Sequence, residues 1–463
     1  MPRHLASVIL GLVAVACAAV AVRDVPAAAD AAPVAQAPSP LAPVLSPRRV
    51  PAALLASLAE RRQVAALDAV VQATPPGSCL VVEQGDRTLV DHLPNEPVVP
   101  ASTLKLLTAV AVLEHLPADE RLVTTAVVAA DPVEGIVEGD LWLVGGGDPV
   151  LGTADWAASF RRQPALVTLL EAVADRVRDA GITVVRGGVI GDESRYDQQR
   201  YVASWPVRYA LDGQIGPLSA LSVNDGFSRV PPMLPFADPA VGAAGVLTEL
   251  LRARGIEVVG EPAAGVAPSP AVPLASVESP PVSELVRQLL RESDNGTAEL
   301  LLKELGLRVL GQGSTAAGAR AVIESLAARG LPLAGVSVLD GSGLDPGNRV
   351  TCRLLLDVLA TADPAGPITT GLSVAGESGT LAHRYRGTDV AGVLRAKTGS
   401  IRSVSALVGE VQAADGRRLR FAYVANGLEA GADGGALQDM LVTILTAPLD
   451  LPALDPLRPG AHP

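Results

Sequence analysis

The hexapeptide Pro100-Ala-Ser-Thr-Leu-Lys105 opens a segment whose pattern predicts a helix ending near Leu116, just before Pro117. Residues three positions apart share one face of a helix, so Ser102 Oγ and Lys105 Nζ can meet. A serine in the first turn lies at the positive end of the helix dipole, which favours its alkoxide, and a neutral lysine amine can act as its base. The S-x-x-K spacing alone is weak, because a surface serine beside a solvated lysine gives the same pattern.

Lysine is rare in this chain. Of the 37 basic residues among 463, only Lys105, Lys303 and Lys397 are lysines, and the others are arginines. Because arginine fills nearly every other basic position, a retained lysine is a candidate for work that a guanidinium cannot do, such as losing its proton. This bias favours a catalytic pair at Ser102, although three lysines can also fall at random.

Two further short motifs follow. Ser293-Asp-Asn295 stands just past a helix predicted at 282–291, where these residue types are also common as helix caps. Lys397-Thr-Gly-Ser400 leads into a strand predicted at 403–411, and its glycine permits close approach of a ligand along the strand edge. Each motif is weak alone, but S-x-x-K, S-x-N and K-T-G in this order are typical of serine penicillin-recognising enzymes.

The chain resembles one group of these enzymes more closely. That group is the class C low-molecular-mass penicillin-binding proteins, D-alanyl-D-alanine carboxypeptidases and endopeptidases of the peptidase S13 (DacB) type. The resemblance runs from about residue 55 to 447, and the long separation of Ser102 from Ser293 matches the extra domains of that family. Besides the first motif it is carried by Gly139–Leu151, Ser293–Lys303, Asp340–Leu344 and Ala396–Ser400.

The resemblance implies a catalytic role for five side chains. Ser102 would be the nucleophile that forms an acyl-enzyme with the penultimate D-Ala, and Lys105 its general base. Ser293 would relay the proton to the departing D-Ala amine. Asn295 would orient Lys105, and Lys397 would raise the local positive potential and so help to keep Lys105 neutral.

The same resemblance implies the substrate contacts. Asn295 would hold an amide of the substrate, while Thr398 and the lysine before it would bind the terminal carboxylate. The backbone N–H groups of Ser102 and Ser400 would form the oxyanion hole.

One position departs from the family pattern. Many relatives have an arginine after Asp-Gly-Ser-Gly-Leu-Ser, where it helps to hold the charged end of the stem peptide. Here Pro346 occupies that position and Arg349 follows three residues later. Recognition of a diaminopimelate-type side chain is therefore in question, whereas the catalytic motifs are intact.

The resemblance implies an α/β fold, a penicillin-binding domain with a five-stranded antiparallel sheet between helices, interrupted by a smaller β-rich insert. The sequence pattern agrees, because predicted hairpins at 79–90 and 403–425 stand on either side of a stretch of short strands. That stretch includes a strand predicted at 184–190 and helices predicted near 164–180 and 240–254, and a last helix is predicted at about 434–446. The Ala/Pro-rich segment Pro262–Pro273 is interpreted as a linker. The predicted domains are a signal peptide or anchor (1–24), an Ala/Pro-rich linker (25–48), the catalytic domain (49–119 and 276–450), the insert (120–275) and a tail (451–463).

The N-terminus predicts export. Arg3 and His4 precede an apolar run from Leu5 to Val22, which is either a cleaved signal peptide or a retained membrane anchor. Lipidation at Cys17 is a weaker alternative. We therefore expect a secreted or N-terminally anchored protein of the periplasm or cell envelope. In that oxidising compartment, Cys79 and Cys352 either form a disulfide or remain two buried thiols.

Composition excludes several classes of function. A net charge of −12 without a basic run argues against nucleic acid as a partner. The five His and three Cys form no zinc motif, and we expect neither a metal nor a cofactor. The expected ligands are peptidoglycan stem peptides, with β-lactams as covalent inhibitors. The alternatives are a β-lactamase and a non-catalytic penicillin-binding sensor or scaffold.

Overall fold

The computed structural model describes residues 50–160, 163–228, 234–429 and 432–449. The predicted signal or anchor, the N-terminal linker, Cys17 and the C-terminal tail lie outside these residues. Apart from the first residues of the helix that begins at Val50, the features below lie in one compact unit that begins at Ala56. Among the helices in the described ranges, none has the length and apolarity needed to cross a membrane.

The first elements surround the Ser102 motif. They are helix α1 (Val50–Ala73), strands β1 (Cys79–Gln84) and β2 (Arg87–His92), a 3-10 turn (Ala101–Leu104) and helix α2 (Lys105–His115). The predicted hairpin is confirmed, since β1 pairs antiparallel with β2. The predicted helix is also confirmed, but its first turn is 3-10, and Ala101 has a positive φ of 48° immediately before the serine.

The middle of the chain forms short strands and helices. The strands are β3 (Val123–Val128), β4 (Ile136–Val137), β5 (Leu141–Val144), β6 (Leu151–Gly152), β7 (Thr168–Leu169), β8 (Val184–Val185), β9 (Val189–Asp192), β10 (Glu257–Val258), β11 (Ala263–Ala264) and β12 (Val272–Glu278). The helices are α3 (Ala154–Ser159), α4 (Glu171–Asp179), α5 (Arg208–Leu211) and α6 (Pro239–Arg252). Helices α4 and α6 pack on a five-stranded sheet of order β11-β9-β5-β3-β12 and share its apolar core.

Three sequence expectations for this region need correction. The strand predicted at 184–190 is two strands in different sheets, because Gly187-Gly188 separates β8 from β9. The helix predicted near 164–180 begins only at Glu171, after β7. The segment Pro262–Pro273 is not a plain linker, since it contains β11 and the start of β12. Strand β12 lies at a sheet edge with a register shift after Pro273, and an edge strand tolerates proline.

The last part of the chain packs with the first elements, since the strand Arg418–Asn426 pairs with β1. Its helices are α7 (Val282–Arg291), α8 (Asn295–Leu310), α9 (Thr315–Ala328), α10 (Cys352–Ala360), α11 (Pro367–Gly371) and α12 (Gly434–Thr446). Its strands are β13 (Ser373–Val374), β14 (Leu394–Ile401), β15 (Val404–Gln412) and β16 (Arg418–Asn426). The closing hairpin and the terminal helix predicted from the sequence are confirmed.

A large antiparallel sheet joins the two ends of the chain. Its order is β13-β14-β15-β16-β1-β2, so the predicted five strands are present with the two-residue β13 added at one edge. Alternate residues face two different cores, as the pleat of a strand requires. Val81 and Val424 join the core that includes α2, α7, α8 and α10, while Leu80 and Tyr423 join the core that includes α1 and α12.

Cys79 and Cys352 form a disulfide bond. The sequence left open whether these cysteines form a disulfide or remain two buried thiols, and the structure has the disulfide. It links β1 to the first residue of α10 across a sequence separation of 273 residues.

Candidate active site

Ser102 and Lys105 meet as their spacing predicts. Lys105 Nζ lies 3.1 Å from Ser102 Oγ, 2.7 Å from Asn295 Oδ1 and 2.6 Å from the Ser342 carbonyl oxygen. The lysine is fully buried. Lys105 is the first residue of helix α2, and Asn295 is the first residue of helix α8.

The charged amine can make these three contacts by donating to all three atoms, and the neutral amine can make them as well. The amide oxygen of Asn295 and the Ser342 carbonyl can only accept hydrogen bonds. A neutral amine has two N–H groups and one lone pair, so donating to these two acceptors leaves the lone pair for the hydroxyl proton of Ser102. The geometry is therefore that of a base prepared to take the serine proton.

Burial lowers the pKa of Lys105 from 10.5 to about 8. The carboxyl groups of Asp340, Glu299 and Asp294 act in the opposite direction and limit the fall. The family resemblance implies that the charge of Lys397 helps to keep Lys105 neutral. That contribution stays a prediction, since burial is the cause that lowers the pKa of Lys105 here.

Lys397 and Ser293 form a second pair. Lys397 Nζ donates to Ser293 Oγ at 2.8 Å and to the Thr398 carbonyl at 2.8 Å. Burial, and then the charge of Lys105, hold the pKa of Lys397 well below its usual value. Ser293 has a φ of 60°, a conformation that is unusual for a residue other than glycine and is often found at functional sites.

Strand β14 passes close to the backbone of Ser102. A Cβ atom on Gly399 would lie 2.8 Å from the Pro100 carbonyl and 3.2 Å from Ser102 N, so only glycine fits easily here. The next residue, Ser400, has an exposed side chain. Thr398 Oγ1 lies 2.8 Å from Thr380 Oγ1, a partner that the sequence analysis did not identify.

Asn295 is held from two sides. Its Oδ1 accepts from Lys105, and its Nδ2 donates to the backbone carbonyl of Gln214 at 2.9 Å. Because an amide NH₂ has two hydrogens, one remains for a substrate carbonyl. A cavity of about 740 Å³ adjoins this side of the site, and its walls include Gln214, Ser293, Trp156 and Asp225.

Asp340 organises the loop beneath Lys105. Its carboxyl group accepts from Trp205 Nε1 at 2.8 Å, Asn348 Nδ2 at 2.8 Å, Gly343 N at 2.9 Å and Asp345 N at 2.7 Å. A Cβ on Gly343 would lie 1.9 Å from the Ala101 carbonyl, so this loop packs directly against the turn that carries Ser102.

The match to a known family covers almost all of this fold. The model of the D-Ala-D-Ala carboxypeptidase 3 (S13) family matches residues 64–232 and 228–447. The chain belongs to the S13 family. The family and the enzyme class predicted from the sequence, a serine-type D-Ala-D-Ala carboxypeptidase, are thereby confirmed.

Individual relatives agree with the S13 assignment. A carboxypeptidase from Mycobacterium tuberculosis is 33% identical over 433 residues, covering 89% of each protein. A D-alanyl-D-alanine carboxypeptidase from Actinomadura sp. is 31% identical over 430 residues, covering 76% of this chain and 77% of that protein. Penicillin binding protein 4 from Haemophilus influenzae superposes with a TM-score of 0.70 at 19% identity, covering 82% of this chain and 99% of that one, which confirms the fold.

The third lysine of this S13 chain is a structural anchor. Lys303 is fully buried on α8, and its Nζ forms an ion pair with Asp197 and donates to the Gln199 carbonyl at 3.2 Å. The next residue of the helix, the buried Glu304, accepts from Arg195 and Tyr196. Helix α8 is thus tied to the segment that leads to Trp205 and Gln214.

Proposed function

We propose that this chain removes the terminal D-alanine from peptidoglycan stem peptides through an acyl-enzyme on Ser102. The observation that carries the proposal is the buried Lys105 amine, 3.1 Å from Ser102 Oγ, with its two other contacts both pure acceptors. A serine hydroxyl becomes a strong nucleophile when such a base takes its proton.

The proposed reaction uses two pairs of side chains, Ser102 with Lys105 and Ser293 with Lys397. Ser102 Oγ attacks the carbonyl carbon of the penultimate D-Ala as Lys105 takes the hydroxyl proton. The N–H groups of Ser102 and Ser400 stabilise the oxyanion, an effect typically worth several kcal/mol. When the C–N bond breaks, Ser293 gives its hydroxyl proton to the departing amine and regains one from the protonated Lys105, which is thereby neutral again. Water next hydrolyses the Ser102 ester, releasing the shortened peptide and regenerating the enzyme.

Substrate recognition rests on the edge of β14. Lys397 and Thr398 bind the terminal carboxylate, and the free hydrogen of Asn295 Nδ2 holds a backbone carbonyl of the peptide. Arg349 does not replace the arginine missing at Pro346, because its guanidinium donates to the Pro346 and Asn348 carbonyls at 2.8 Å each. The enzyme therefore selects stem peptides without an arginine contact from this loop.

The same site accepts β-lactams, which acylate Ser102 and leave slowly. A β-lactamase needs a carboxylate that positions the deacylating water. The three carboxyl groups that act on Lys105 serve other partners: Asp340 and Glu299 bind the 341–348 loop, and Asp294 caps α8 through Thr297 N at 3.0 Å. We therefore favour the carboxypeptidase over the β-lactamase.

The site of action is the cell envelope. The disulfide between Cys79 and Cys352 fits an exported protein, since such bridges persist in oxidising compartments. The apolar N-terminus supplies the export signal, which is cleaved or retained as an anchor. We also propose the predicted division into a catalytic domain (49–119 and 276–450) and an insert (120–275), with β12 crossing the second boundary.

Mass spectrometry of products from purified muropeptides tests the proposed activity. We expect loss of one D-Ala from a peptide ending in D-Ala-D-Ala, and no loss with Ser102→Ala. Cleavage of crosslinked dimers in the same assay would show an added endopeptidase activity. Folded protein that releases no D-Ala from either substrate, but rapidly turns over a chromogenic cephalosporin, would reassign the chain as a β-lactamase.

A further inference from the structure

Glu299 is a buried carboxyl group for which the proposed reaction has no role. It lies on α8 one turn after Asn295 and is fully buried. Its Oε1 accepts from the N–H groups of Gly341 at 3.0 Å and Ser342 at 2.8 Å. Its Oε2 is buried without a hydrogen-bond partner in the described residues. A buried oxygen without a hydrogen-bond partner destabilises the folded state, and native proteins contain few of them.

The turn that Glu299 holds leads directly to the catalytic lysine. The Ser342 carbonyl accepts from Lys105 Nζ at 2.6 Å, and Thr108 Oγ1 donates to the Gly341 carbonyl at 2.8 Å. The Ser342 carbonyl is one of the two acceptors that direct the Lys105 lone pair towards Ser102. A shift of the turn would therefore rotate the amine away from the hydroxyl proton of Ser102.

The turn is also confined on both faces. A Cβ on Gly341 would lie 2.7 Å from the Ala298 carbonyl, and one on Gly343 would lie 1.9 Å from the Ala101 carbonyl. The backbone is thus sandwiched between α8 and the Ser102 turn. In that position its orientation is set by its hydrogen bonds, of which Glu299 Oε1 supplies two.

We propose that Glu299 is a positioning residue for acylation: its carboxyl group fixes the Gly341-Ser342 turn, and the Ser342 carbonyl in turn orients the Lys105 amine. The inference rests on the proposed function, because it assigns Lys105 as the base. It adds a residue that touches neither the substrate nor Ser102.

Paired substitutions test the inference by stopped-flow acylation with a fluorescent penicillin, which separates non-covalent affinity from the acylation rate constant. Glu299→Met removes the acceptor at similar volume, and we expect an acylation rate constant lower by about 10- to 100-fold, as misplaced catalytic groups show, with affinity nearly unchanged. Glu299→Gln keeps an acceptor oxygen and should restore most of the rate. Acylation by folded Glu299→Met at the wild-type rate would overturn the proposal.

Glu304→Met is the matched control, because Glu304 is equally buried on α8 but binds Arg195, Tyr196 and Arg308 instead of the turn. It should lower the melting temperature without slowing acylation at 25 °C. Equal slowing by both methionine variants would show that Glu299 is merely structural. A wild-type protein that is not acylated at all would instead refute the proposed function.

A pH profile keeps the inference testable if Glu299→Met does not fold. The carboxyl groups of Glu299, Asp340 and Asp294 all raise the pKa of Lys105. Burial raises the pKa of Glu299 itself to about 8, so its charge acts on Lys105 mainly above that pH. Glu299→Gln removes this charge, so the upper part of the rise in acylation rate with pH, which follows deprotonation of Lys105, should move to lower pH. An unchanged limb in Glu299→Gln would contradict the coupling between this carboxyl group and the lysine.

Discussion

The proposed role of Lys105 as the base requires an amine that can be neutral. An arginine at this position keeps its proton at any accessible pH, so the charge of the side chain would be preserved while its basicity is lost. We therefore expect Lys105→Arg to slow acylation by a penicillin nearly as much as Lys105→Ala. Near-normal acylation by a folded Lys105→Arg protein would show that the lysine serves only as a positive charge.

The acylation rate should depend on pH through the same residue. The pKa of Lys105 is lowered to about 8, and the neutral form is the active one. The rate constant should therefore rise as pH increases through about 8 and be small well below it. Stopped-flow acylation between pH 6 and pH 9 measures this limb, and a rate that falls over this range would exclude the neutral amine as the base.

The residues of the short motifs could be predicted from the sequence, whereas the residues that position them could not. Ser102, Lys105 and Asn295 are identified by spacing within a few residues of one another or by order along the chain. Glu299 reaches Ser342, and Trp205 reaches Asp340, only through tertiary folding, and no local pattern marks these pairs. Their burial as polar groups becomes visible only in the structure.

At the scale of elements, helix α8 joins the candidate active site to the proposed insert. Its first residue, Asn295, contacts the site and the insert loop, and Lys303 further along pairs with Asp197. Lys303→Met should lower the free energy of unfolding by about 1–3 kcal/mol, because it leaves the Gln199 carbonyl unpaired while Asp197 stays partly hydrated. Acylation at 25 °C should be unchanged.

The matched control for Lys303→Met is Arg320→Met on α9, where the side chain is 69% exposed. That change should alter the free energy of unfolding by less than about 0.5 kcal/mol. Urea unfolding of both variants makes the comparison. Equal stability of Lys303→Met and the wild type would remove the anchor role, and slower acylation at full stability would place Lys303 within the catalytic machinery.

Elements with strong periodicity were predicted well, and short ones were not. The hairpin at β1 and β2 and the helix α7 follow from clear apolar patterns. The split between β8 and β9 has a tertiary cause: a Cβ on Gly188 would lie 2.2 Å from the carbonyl of the distant Glu261, so the chain needs glycine there. Strand β12 was hidden by its Ala/Pro composition, since its pairing with β3 is a tertiary effect.

At the scale of the whole molecule, distant parts of the chain build one catalytic sheet. Strand β1 pairs with β16 in the register Val81 to Ala422, and the disulfide fixes β1 to α10. The three motifs come from the turn before α2, the loop before α8 and strand β14, and they meet around Ser102: Lys105 contacts Ser102 and Asn295, Lys397 contacts Ser293, and Gly399 lies against the Ser102 backbone. Family resemblance predicted this convergence, whereas periodicity alone predicted only the separate elements.

Acylation of Ser102 by a labelled penicillin tests the central claim most directly. Intact-protein and peptide mass spectrometry should show one penicilloyl group per chain on Ser102, persisting long after excess penicillin is removed, and none on folded Ser102→Ala. A folded wild-type protein without the adduct, or an adduct that survives Ser102→Ala, would contradict the account.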